Sequence, residues 1–471
     1  MSASAGAPPL AAARTATTRL SRVYGLGSIY GKTMRDSRLA FIIATGLLSG
    51  MALVMGAAVS TVFPTPSARL EVDALIGSMP ASMINLFGRP TDIGTLGGYM
   101  TFKYGAMFAL GTALWSIMAL SGTLAGEARR GSLDLVATTP FGKRRIALEK
   151  LAAHLTVVWL ALAIFAVVTT LSSTIFGDAA LGDTIPLESS IAFALWVGFL
   201  AMFFGGMAFA LSPILGRAGS AGVAGIAMVF LWVAAGMEIG GPLVALSPFA
   251  WTADHIGLVG MYDWPALALV GVVGIVFLAI GVELFVRRDL GVTAGLSLPS
   301  LPAGILGVRG PISRAFGDQL PRATSWGIGL GLTGALLASL VGPMAEQIRT
   351  SPDLMRIFST IFPDFDLAAA GGFLQLYVAL LYIAAGFAAA TFVSKWASDE
   401  TDGRLELVLT SPASRARWAL AGGVAALAAI VVMSVLFAAG IGLGAVSSNV
   451  TAGEAMLGSA ALGVYAAAVV G

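Results

Sequence analysis

Cysteine is absent from all 471 residues, which excludes disulfides, thiolate metal sites and cysteine nucleophiles. Histidine is almost absent. His154 and His255 are the two, too few and too far apart for a His-rich metal centre. Charged residues make up 11% of the chain, against ~25% in soluble domains, so a water-soluble fold is excluded too. No G-x-x-x-x-G-K-S/T motif occurs anywhere, and the chain therefore does not cradle nucleotide phosphates in the P-loop manner. The first 38 residues lack the apolar core and cleavage site of a signal peptide.

What is present is apolar. Hydrophobic residues make up 57% and mean hydropathy is +0.88, the composition of a polytopic membrane protein. A span needs about 20 mostly apolar residues. Ten segments qualify, near 39–63, 99–123, 150–175, 189–213, 218–240, 265–286, 326–345, 371–393, 417–445 and 455–471. Of 27 Lys and Arg, 22 fall on one side: in 1–38, 124–150, Arg217, 286–325 and 395–417. By the positive-inside rule that side is cytoplasmic, and the N-terminus with it, in the inner (plasma) membrane. Residues 20–38 mix aromatic and basic side chains ahead of the first span, which predicts an interfacial helix on the inner leaflet.

One stretch is written twice. Ala125 to Leu148 and Ala397 to Leu420 align without a gap at an offset of 272 residues. Gly131, Leu133, Leu135, Val136, Thr138, Pro140, Arg145 and Leu148 are identical to their counterparts, and Asp134 matches Glu406. Both copies are polar loops on the basic side. The same offset aligns Pro80 and Met83 with Pro352 and Met355. The chain therefore divides into a tail and elbow (1–38), a first half of six spans (39–288), a linker with a second elbow (289–325) and a second half (326–471). The linker is rich in Gly and Pro, which break regular structure. At this offset Gly471 corresponds to Phe199, inside the fourth span. The expectation is an all-α protein of two pseudo-equivalent six-helix halves. It has about 12 spans when complete, with on the order of 90 residues beyond Gly471.

Within the first loop (124–149), Gly131 ends the preceding span and Ser132 to Thr138 places Leu133 and Val136 on one helical face. Asp134 sits in the first turn, where a carboxylate favours the helix dipole. Pro140 stops the short helix, and Lys143, Arg144 and Arg145 mark the return to the membrane. The second loop (395–417) repeats this plan. A stiff capped helix, apolar on one face and charged at its rim, suits docking of a soluble motor. A generic basic turn between spans would have no reason to keep Leu-x-Leu-Val and Pro in both halves.

An acidic residue, Gly, Leu-x-Leu, Pro and then basic residues before a span resembles the permease subunits of ABC-2-type transporters. It is most similar to the two-half permeases of actinobacterial antibiotic exporters of the tetronasin- and polyketide-resistance type. The resemblance rests on Glu127, Gly131, Leu133, Asp134, Leu135, Pro140, Arg144 and Arg145. In the second half it rests on Asp399, Glu400, Gly403, Leu405, Glu406, Leu407, Pro412, Arg415 and Arg417. It implies an ABC-2 (type V exporter) permease fold and loops that form coupling helices seated on two copies of a P-loop ATPase. It also implies no catalytic residue, metal or cofactor on this chain, with ATP and Mg held by the partner. The acidic role in the second half falls to Asp399 or Glu400. Nucleic acid is not an implied partner.

Ionisable groups inside spans are functional candidates. Lys103 is expected to snorkel outward, and Glu283 to pair with Arg287 at i+4. Glu238, before Gly240, Gly241 and Pro242, is a candidate for an outer gate or a cationic substrate. Met107, Phe108, Trp115, Phe203, Phe204 and Met207 are soft or aromatic side chains suited to a path for bulky hydrophobic or amphipathic compounds. The leading reading is an ATP-driven exporter permease for hydrophobic drugs or antibiotics. The alternatives are a proton-coupled multidrug antiporter, which needs midplane carboxylates that the spans lack, and a lipid or polymer exporter of the same permease type.

Overall fold

A computed structural model describes residues 28–77, 84, 87–123, 142–237, 241–287, 311–350, 355, 381–401, 404–410, 414–447 and 453–470. Among these the chain is helical, without a strand beyond one isolated bridge between Ile256 and Met261. Among the described residues seven helical segments are long and apolar enough to cross a membrane, so this is an all-α, multi-pass membrane protein. Six of them fall on the first six expected spans, and the seventh on 417–445. Two compact units separate, the first holding the described residues up to Arg287 and the second those from Pro311 on.

The first unit opens with α1 (Ile29–Asp36). Ser28 caps it by accepting from the Gly31 N–H at 3.0 Å, and Arg35 faces the negative end of the helix dipole. This helix lies within residues 20–38, where the elbow helix is expected. It is followed by α2 (Arg38–Val62), the short α3 (Pro66–Gly77), α4 (Leu96–Thr123) and α5 (Lys143–Phe176). α5 starts seven residues before the apolar run, so its first turns carry Lys143, Arg144 and Arg145. α6 (Leu187–Met237) holds two spans bent at Gly216, where φ is +69°. Only glycine adopts that conformation without strain, and Pro213 just before it removes a helix hydrogen bond. A short α7 (Pro248–Trp251) and turns then lead into α8 (Trp264–Arg287).

These spans are apolar nearly all round, so helix packing is set by shape rather than by an amphipathic stripe. Phe108 of α4, Phe165 of α5 and Phe193 of α6 meet as a triad, with ring centroids 4.9 to 6.1 Å apart. Offset aromatic packing adds about 0.5–1.5 kcal/mol per pair beyond area burial. Further along, Phe203 stacks edge-on against Phe204 (5.0 Å) and against Phe277 of α8 (5.3 Å).

The second unit comprises α9 (Pro311–Thr350), α10 (Tyr382–Thr401), α11 (Arg404–Leu409), α12 (Arg415–Ser447) and α13 (Gly453–Val470). α9 begins well before the expected span at 326, so residues 311–325 of the expected linker are helical and continuous with it. α9 lies along α12 with Gly331 against Gly440 and Ala335 against Gly444; a Cβ on either α12 glycine would collide with the α9 backbone. Small residues allow such close approach where no water drives association. Trp326 Nε1 donates to Thr391 Oγ1 (3.0 Å), and Gln319 Nε2 donates to the Phe392 carbonyl (2.9 Å), tying α9 to α10.

Candidate functional site: the coupling ends and an apolar groove

The repeated loop is visible in its second copy. Its aligned short helix was expected at 404–410, the counterpart of 132–138, and α11 spans Arg404–Leu409. Glu406 lies in its first turn and is exposed, Leu405 is half-buried, and the Thr410 N–H closes onto the Glu406 carbonyl at 3.1 Å. Leu407 also lies on α11. Ser414 accepts from the Arg417 N–H (3.2 Å) at the start of α12, and both Arg415 and Arg417 are exposed there. Glu400 is exposed at the end of α10, and Asp399 precedes it on the same helix. Trp396 and Trp418 meet at 5.8 Å where α10 and α12 flank the loop. Gly403 and Pro412 lie outside the described residues, as do Glu127, Gly131, Leu133, Asp134, Leu135, Pro140 and Glu238.

The return of the first loop is an ion-pair junction. Arg144 pairs with Glu283 at the end of α8, which also meets Arg287 at 4.0 Å, so the expected i,i+4 pair is shared with a second arginine. Arg145 Nε donates to Glu149 Oε1 at 2.8 Å, and Glu149 Oε2 accepts from the Tyr30 N–H at 3.2 Å. The Tyr30 hydroxyl donates to Thr156 Oγ1, 3.2 Å away. A carboxylate at the first turn of α1 suits its dipole. The basic turn after the loop is thus bonded to the elbow helix and to α8 together.

The candidate path residues separate into two places. Met107, Phe108 and Trp115 line an apolar groove between α2 and α4, with Ile43, Leu47 and Met51 opposite and a cavity volume of about 860 Å³. Phe108 is buried at its floor, Met107 is exposed and Trp115 is half-buried. Phe203 and Phe204 do not line it: they are buried packing residues between α4, α6 and α8, and Met207 packs beside them. Lys103 Nζ donates to the Tyr99 hydroxyl (2.8 Å) and sits over the Tyr99 and Tyr104 rings, as a side chain reaching for the interface does.

Two buried polar arrangements were not expected from sequence. At the end of the first unit opposite α1, Arg69 of α3 forms a bidentate pair with Asp183 (2.5 and 2.7 Å). Arg69 also donates to the Phe63 and Gly94 carbonyls (3.0 and 2.9 Å), while the Leu96 and Asp178 N–H groups donate to Asp183 (2.8 and 3.0 Å). Burial opposes the Asp183 charge, but the Arg69 bond and the two N–H bonds outweigh it and hold its carboxyl below the usual range. The bond to Asp183 likewise raises Arg69. This clamp fixes α3 and the loop before α6 to the start of α4. Within the spans, His154 Nε2 and Ser116 Oγ bond at 2.8 Å, buried between α4 and α5. Among the described residues no cluster of three His, Cys, Asp or Glu could hold a metal.

Residues 308–471 match the family model described as Multidrug efflux system permease Rv1217c, C-terminal domain. The matched region holds α9 to α13, roughly the last third of the chain. The match supports a multidrug efflux permease. No curated protein matches the chain.

Proposed function

We propose that the chain is the membrane subunit of an ATP-driven ABC-2-type exporter that moves hydrophobic or amphipathic drugs or antibiotics out of the cell. In this reading its N-terminus is cytoplasmic, and each repeated loop docks one copy of a separate P-loop ATPase that holds ATP and Mg. The family match supports efflux. The observation that carries ATP coupling is the gapless repeat, whose second copy forms α11 where the aligned pattern expects it. Displacement of a docked loop reaches α8 through the Arg144 pair, and α1 through Arg145 and Glu149. The groove holding Met107, Phe108 and Trp115 is apolar and adaptable, as a path for varied amphipathic cargo requires.

The test replaces Pro140 and Pro412 with glutamine and measures co-purification with the ATPase and its ATP turnover. Loss of both is expected, and unchanged complex and turnover would remove the docking account. One observation favours a second reading, proton-coupled antiport: His154 is a titratable ring buried within the spans. That reading requires His154→Gln to abolish efflux at normal ATP, whereas the ATP-driven reading requires efflux to survive collapse of the proton gradient.

A further inference from the structure

At the end of the first unit opposite α1, a second cavity of about 360 Å³ lies under the segment between α6 and α8. That volume is near the lower end of the ~300–1,000 Å³ usual for small-molecule sites. Its walls are aromatic, with Phe102 of α4, Phe193, Trp196 and Trp232 of α6 and Phe249 of α7 among them. The Trp196, Thr252 and His255 side chains in the wall are already hydrogen-bonded. Trp196 Nε1 donates to Thr252 Oγ1 (2.9 Å), which donates to the Pro248 carbonyl (2.8 Å). His255 Nδ1 accepts from the Asp263 N–H (3.1 Å), so its Nε2–H donates to the Ala192 carbonyl (3.2 Å). Burial lowers this imidazole's pKa, keeping the wall uncharged at neutral pH.

Among the described residues that line it, charge enters at the mouth alone. Arg89 and Asp254 both line the cavity and pair with each other there, 59% and 68% exposed. An exposed pair contributes little and opens at small cost. The faces of aromatic rings attract cations, and Trp does so best. Arg89 therefore holds the carboxylate that a ligand's cation would pair with beside the rings.

The geometry points to a binding site, within the first half, for a lipophilic aromatic cation that takes Asp254 from Arg89 and seats its rings among Trp196, Trp232 and Phe249. It extends the efflux reading by naming a cargo class, and it needs no ATPase to be tested. Equilibrium binding of tetraphenylphosphonium to the full chain in lipid nanodiscs, without ATPase or ATP, is the experiment. Arg89→Ala removes the competitor and tightens apparent Kd about three- to tenfold, whereas Asp254→Asn weakens it by a similar factor. Trp232→Leu weakens binding as well, and neutral triphenylphosphine oxide shows no dependence on residue 89 or 254. Both substitutions break the same ion pair, so a pair that merely holds the fold would move them in one direction. Parallel losses, or no change in either, would overturn the site whatever the outcome of ATP-driven efflux assays.

Discussion

The two units share a repeat but not a means of holding their helices. In the first, charge does much of the work: Arg69 and Asp183 clamp one end, while Glu149 binds Arg145 and the elbow helix at the other. At the offset of 272 residues the counterparts of Arg69, Asp183 and Glu149 are Val341, Ala455 and Ala421. The second unit instead brings α9 and α12 together backbone to backbone, at Gly331, Gly440 and Gly444. The first unit uses a matching pair as well, since α2 packs on α5, and Ser172 Oγ donates to the Ala52 carbonyl (2.9 Å) there. The pairing of the first and third spans of each half is therefore kept, while the chemistry at the contact has drifted. The loop pattern of Gly, Leu-x-Leu-Val, Pro and Arg has not drifted. In the proposed reading the loops meet a partner, and such a surface tolerates less change than an interior that need only be filled.

The largest expected effect tests the charged clamp. Asp183→Ala leaves Arg69 buried and uncompensated, which costs about 3–5 kcal/mol. Unfolding of the chain in detergent should register that loss, and an unchanged midpoint would show that the clamp does not hold the first unit. Because the Asp183 carboxyl titrates below its unfolded value of ~3.9, its stabilisation is complete above that pH and lost as pH falls through the folded pKa. The penalty of Asp183→Asn should accordingly be constant from pH 5 to 8 and shrink in stronger acid, as a pH series of unfolding curves would reveal. Next, Gly440→Ala drives a methyl into the α9 backbone and should destabilise the second unit by about 1–3 kcal/mol. The same change at Gly423, which has open space beside it, should cost nothing measurable and serves as the control.

Smallest in energy is Glu149→Gln. The carboxylate is mostly shielded, and loss of its charge at the Tyr30 N–H and at Arg145 should cost about 0.3–1 kcal/mol. Its consequence for transport should exceed its consequence for folding, since it uncouples the basic turn from α1. Efflux that falls no further than stability would deny Glu149 a transmitting role.

Much of this architecture is legible from residues alone. The first six spans and that at 417–445 follow from apolar runs, the break within α6 falls between two expected spans beside Arg217, and α11 lies where the aligned loop puts it. What escapes is long-range and buried. Arg69 and Asp183 are 114 positions apart and carry no periodic signal. Phe203 and Phe204 show the softness suited to a path, yet a span that is apolar all round does not reveal which face turns inward. Their interior place comes from packing against α8. The helix start at Pro311 escapes for another reason: prolines and glycines in a linker argue against helix, whereas Pro is well placed at a first turn.

In the proposed mechanism power arrives from a separate ATPase through the twin loops. Vesicles reconstituted with this permease and its ATPase, loaded with tetraphenylphosphonium and held without a proton gradient, measure it directly. ATP-dependent movement of the cation is expected, and it should stop when Pro140 and Pro412 are both replaced. Movement driven by a proton gradient through the permease alone would contradict it.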